Sequence, residues 1–235
     1  MISMRKIEAL FSKDMKTIFQ NVFILSGLLI MPVIAIMFTI GLEDEEAIIG
    51  LADFLIKMNI LVNGANIICV MIAEEKEKHT LSVLVASTVS AVDFLISKVL
   101  VTGILTFLSN VLLFFIMGLG AYLPIAPFLA MSAVAILPVT VVGAIIGILC
   151  KTQAAASTVV APVMMLLVFL PMFLPQESFF VDKVFRYVFA EQMTYGLAAV
   201  YHGEPYLLSL GIIAINFVVL AVAFGLVYKK RGLAS

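Results

Sequence analysis

Long apolar stretches follow one another along most of the chain, separated by short polar segments: Val22–Leu42, Leu51–Ala73, Val99–Leu123, Ile125–Cys150, Ala154–Leu174 and Tyr206–Tyr228. About 20 apolar residues in a helix cross the roughly 30 Å hydrocarbon core of a bilayer. Each stretch is therefore predicted as a transmembrane helix, six in all. The third and fourth are joined without a charge, and the predicted break is Pro124-Ile125-Ala126-Pro127, where proline interrupts helical hydrogen bonding. Ahead of the first span, Met4, Ile7, Phe11 and Ile18 recur at helical spacing, and Arg5, Lys6, Ser12, Lys13 and Lys16 fill most of the remainder. This pattern predicts an amphipathic helix over 1–21 lying in the membrane interface. The plainer reading is a basic stretch that only enforces topology. Between the fifth and sixth spans, segment 175–205 carries Val181, Val184, Phe185, Val188 and Phe189. It is too apolar to float free, so short helices dipping into the outer leaflet or capping the bundle are expected.

Composition agrees with this pattern. Of 235 residues, 63% are hydrophobic and 12% charged, with mean hydropathy +1.21, whereas soluble domains carry about 25% charged residues. The expected fold class is an all-α integral membrane protein, a single domain of six transmembrane helices. The net charge of −1 offers no footing for nucleic acid. The placement of the charges is more informative, because positively charged short loops stay in the cytoplasm. With the N-terminus inside, Arg5, Lys6, Lys13, Lys16, Lys76, Lys78, Lys98, Lys151, Lys229, Lys230 and Arg231 are all cytoplasmic, and only Lys183 and Arg186 lie outside. Both termini are expected in the cytoplasm, with the acidic tetrad Glu43–Glu46 outside.

Little in the chain resembles an engine. There is no phosphate-binding loop, no H-E-x-x-H and no G-x-S-x-G. His79 and His202 fall on opposite sides of the membrane, and Cys69 and Cys150 form no C-x-x-C pair. No catalytic, cofactor or metal site is expected. A proton- or ion-coupled carrier should show a buried titratable relay. The only charges predicted within a span, Asp53 and Lys57, are four residues apart on one helix face, which reads as a local ion pair or snorkelling. The same span carries Asn59, Asn63 and Asn66 on one stripe. They are candidates for interhelical hydrogen bonding, or for lining a substrate path or dimer seam. Gly143 and Gly147 form a G-x-x-x-G element suited to close packing within the chain or to dimerisation.

The most informative polar segment is 74–98, EEKEKHTLSVLVASTVSAVDFLISK. Its charged cluster, short leucine- and valine-bearing amphipathic stretch and Ser/Thr-rich turn lie between two spans on the cytoplasmic side. This segment resembles the cytoplasmic loop of type-2 ABC export permeases. There an acidic-basic cluster and a threonine precede a leucine-rich coupling helix, a serine-proline-valine-serine-like turn and a lysine opening the third span. Lys6-Ile7-Glu8 through Lys13-Asp14-Met15 is similar to the family's interface helix. Leu174-Pro175 through Thr194-Tyr195-Gly196 to Gly203 is similar to its external re-entrant helices. Two positions depart from the pattern: His79 stands where the family usually has glycine, and Thr88 where the turn usually has proline.

The resemblance implies the permease subunit of an ATP-driven exporter in the plasma membrane, of a bacterium by expectation. The chain would not itself be an enzyme, because ATP and Mg would bind a separate ABC ATPase present in two copies. A second permease chain, identical or similar, would complete the path. The contacts to the ATPase would be Glu74, Glu75, Glu77, Thr80, Leu81, Leu84 and Val85. A nearly uncharged path favours an amphiphilic or hydrophobic substrate such as an amphipathic peptide, a toxin or bacteriocin, or a drug. The competing readings are a secondary carrier and a non-transporting structural subunit.

Overall fold

The computed structural model describes residues 4–80, 90–174 and 179–232, and the described residues form helices with no strand. The amphipathic segment forms α1 (Met4–Gln20) and the first apolar stretch forms α2 (Val22–Thr39). Next come α3 (Glu45–Met58), a π-helical segment (Asn59–Gly64) and α4 (Ala65–Glu77), running as one long rod. The remaining helices are α5 (Ala91–Ile116), α6 (Ile125–Leu149), α7 (Gln153–Phe173), α8 (Phe179–Lys183), α9 (Phe189–His202) and α10 (Leu207–Val227). Five of these units are long and apolar enough to cross a membrane, or six when the bent pair α1–α2 counts as one span.

Several helix ends differ from the hydropathy reading, because local capping outweighs hydropathy there. The acidic tetrad opens the second span instead of lying in a loop before it. Asp44 caps α3, its carboxylate accepting the Ala47 N–H at 2.9 Å, and Glu45 and Glu46 occupy the first turn, where the helix dipole favours negative charge. Ser90 caps α5 by accepting the Asp93 N–H at 3.0 Å, so the helix that carries the third apolar stretch begins at Ala91, ahead of Val99. Its other end falls at Ile116, where Gly118 takes a left-handed φ of 64°. The third and fourth spans are thus separated by a longer turn than the proline pair alone indicates. The described part of segment 175–205 forms short helices. It comprises α8, a 3₁₀ turn (Phe185–Tyr187) and α9, and α9 buries Phe189, Met193, Leu197 and Val200 against the bundle.

The α3–α4 rod occupies the centre. It packs against α6 and α7, while α6 also holds α10 and α1 lies along α5. Among the described glycines, those of the G-x-x-x-G element come closest to the backbone of another helix. A Cβ on Gly143 would stand 2.4 Å from the Ala65 carbonyl oxygen, and one on Gly147 would stand 2.7 Å from that of Cys69. In this structure the element joins α6 to α4 within one chain.

Candidate functional site

Where α1 meets the ends of α4 and α5, four charged residues from three helices converge. The two-turn extension of α5 places Lys98 inside the bundle rather than at a helix entrance, and its side chain is fully buried. Lys98 Nζ donates to Asp14 Oδ1 on α1 at 2.7 Å and to Glu75 Oε1 on α4 at 2.8 Å. Glu75 also pairs with Lys13 of α1. Two carboxylates and two ammonium groups therefore balance, which is the condition for keeping charge in a buried site. Lys98 also lies 5.4 Å from the centre of the Phe94 ring, within cation–π range.

Asp14 was not singled out by sequence reasoning, although a signal was present. The buried face of α1 is Ile7, Leu10, Asp14 and Ile18, so a carboxylate stands on an apolar stripe and requires a partner. Glu75, a candidate ATPase contact, is turned into the bundle and engaged by Lys98 and Lys13. Glu74 is half-buried and pairs with Lys78 at 2.5 Å. Glu77 is exposed, its Oε2 accepting the Gln153 N–H at 2.8 Å. The Thr80 hydroxyl donates to the Glu75 carbonyl at 3.0 Å. Leu81, Leu84, Val85 and Thr88 lie outside the described residues. A cavity of about 670 Å³ opens beside this junction, lined by Lys13, Asp14, Thr17, Glu74, Glu75, Lys78, Thr80 and Lys98 among others.

His79 closes α4 with φ +56°, the one positive-φ residue other than glycine among the described residues. Left-handed backbone strains a side chain and suits glycine. The histidine adopts the turn a glycine would make.

Further along the rod, Asn59 and Asn63 are buried inside the chain's own bundle. Asn63 Nδ2 donates to Asn59 Oδ1 at 2.9 Å, and Asn59 Nδ2 donates to Asn110 Oδ1 at 2.6 Å. The Ser109 hydroxyl lies 3.2 Å from Asn59 Oδ1 and donates to the Leu28 carbonyl at 2.9 Å. This network ties α2, the π-helical segment and α5 together. Asn66 is half-buried one turn on. The π-helical segment gives no sequence signal, and such segments often mark functional sites.

At the opposite end of the bundle, the expected local pairing of Asp53 with Lys57 gives way to contacts with α9. Lys57 Nζ reaches Glu191 Oε1 at 3.3 Å, and Asp53 Oδ2 accepts the Thr194 hydroxyl at 3.1 Å. Both interactions cross from the rod to α9, a distance in sequence that helical periodicity does not reveal.

Five or six membrane-length apolar helical units, the buried central rod among them, define a multi-pass membrane protein. A family model described as "ABC-2 family transporter protein" matches residues 43–226. The chain belongs to this family of ABC-2 type transporter permeases. A search of curated proteins finds no match.

Proposed function

We propose that this chain is the membrane subunit of an ATP-driven exporter that moves an amphiphilic or hydrophobic substrate out of the cell. It works with two copies of a separate ABC ATPase, which bind ATP and Mg, and with a second permease chain, identical or similar. Both termini and the 74–98 loop face the cytoplasm, and α8 and α9 cap the outer end.

The observation that carries this reading is the buried junction of Lys98, Asp14 and Glu75. It joins the interface helix, the start of the loop and the third span, so a push on the loop is transmitted to both helices instead of being absorbed by fraying. Glu75 serves on the inside of this joint. The ATPase surface is then Glu74, Glu77 and Thr80 together with Leu81, Leu84 and Val85. Asn59 and Asn63 rigidify the rod that the joint moves. ABC-2 membership supports the partnership with an ABC ATPase.

An apolar anchor at a docking surface typically costs more than about 1 kcal/mol when truncated, whereas a rim charge costs little. Leu84→Ala is expected to weaken co-purification of the ATPase, or to uncouple hydrolysis from transport, more than Lys78→Ala does. The spans should remain folded in both variants. Equal ATPase recovery and equal coupling in the two variants would remove the loop from the mechanism.

A further inference from the structure

A cavity of about 210 Å³ lies between the rod, α7 and α9, at the end of the bundle opposite α1. Its polar wall holds Asp53, Lys57 and Glu191, with apolar Phe54, Val168 and Met172 opposite. Lys57 is 7% exposed and committed to Glu191 at 3.3 Å. Asp53 receives the neutral Thr194 hydroxyl at 3.1 Å, while the Lys57 ammonium is paired with Glu191. Two half-buried carboxylates thus face one cation, and a carboxylate partly withdrawn from water without full charge compensation is costly. The mouth lies between Gly50 and Met172, both exposed. A Cβ on Gly50 meets no atom within 4 Å.

We propose that this cavity binds the cationic end of an amphiphile, an ammonium or guanidinium group. Asp53 supplies the counter-charge, Phe54, Val168 and Met172 pack the first carbons, and the tail leaves between Gly50 and Met172. The volume is below the roughly 300–1,000 Å³ of a pocket that encloses a drug-sized ligand, so it suits an end group with the remainder outside. Lys57 holds Glu191 and thereby leaves Asp53 as the group that meets the ligand. Calling this ligand the cargo rests on the transport reading above; the binding itself does not.

The test is equilibrium binding of radiolabelled octylammonium to the full chain in lipid nanodiscs, with the signal of empty nanodiscs subtracted and no ATPase present. Saturable binding at one site per chain is expected, with no saturable binding of octanol or octanoate. Asp53→Asn keeps the shape and should weaken octylammonium by about tenfold or more, in the range for removing the partner of a buried charge. Gly50→Leu leaves every charge in place and narrows the mouth, so it should also weaken binding. Absence of saturable binding would overturn the proposal. Binding without preference for the cation, or unchanged in both variants, would overturn it equally. Either failure would leave ATP-driven transport standing, and loss of ATP-driven transport would leave octylammonium binding unaltered.

Discussion

Lys98→Met is expected to destabilise the chain by about 3–5 kcal/mol, the range for breaking a buried ion pair by removing one partner. The loss arises because Asp14 and Glu75 remain buried after their shared cation has gone. Glu75 keeps Lys13, so the larger uncompensated charge is Asp14. The double variant Lys98→Met with Asp14→Leu should therefore recover much of the loss, since replacing a buried pair by apolar groups of similar size is often close to neutral. Thermal unfolding in nanodiscs measures both effects. A single variant as stable as the parent, or a double variant no better than the single one, would show that the junction does not hold α1 to the bundle. Lys57→Met at the far end makes a useful comparison, because it severs the single contact to Glu191 and leaves α1 untouched.

Gly143→Ala should rank close behind, at about 1–3 kcal/mol. A new Cβ would press on the Ala65 carbonyl at 2.4 Å and on the Ile68 side chain at 2.6 Å. Backbone is the obstacle, so relief requires α4 and α6 to separate. Gly147→Ala meets the Cys69 carbonyl at 2.7 Å and should behave similarly. Gly211→Ala on α10 meets nothing within 4 Å and should be neutral or slightly stabilising, as alanine favours helix over glycine. Equal unfolding midpoints for Gly143→Ala and Gly211→Ala would contradict the packing described here. If G-x-x-x-G served an interface between chains instead, Gly143→Ala would alter oligomeric state before monomer stability.

The hydropathy of the sequence was enough to place the apolar helices, because a membrane span carries its signal within about 20 consecutive residues. The N-terminal amphipathic helix was legible for the same reason, although its carboxylate on the apolar stripe passed unread. Partners far apart in the chain were not legible. Lys98 reads as a charge that opens a span, and only the fold brings Asp14, 84 residues away, to within 2.7 Å. Lys57 reads as the i,i+4 partner of Asp53, whereas the fold offers it Glu191, 134 residues away. The glycine pair announced close packing without saying against which helix. The π-helical segment, which packs on α5 and α6, had no signature in the sequence.

In the proposed division of labour, this chain moves substrate and a partner hydrolyses ATP. The most direct measurement is ATP hydrolysis by the chain isolated under mild conditions from the membranes that naturally contain it, compared with the same chain stripped of partners. Hydrolysis is expected in the intact complex, carried by a protein bearing an ABC ATPase domain, and none in the stripped chain, whose sequence has no phosphate loop. Turnover by the stripped chain, or an intact complex containing no ATPase, would contradict it.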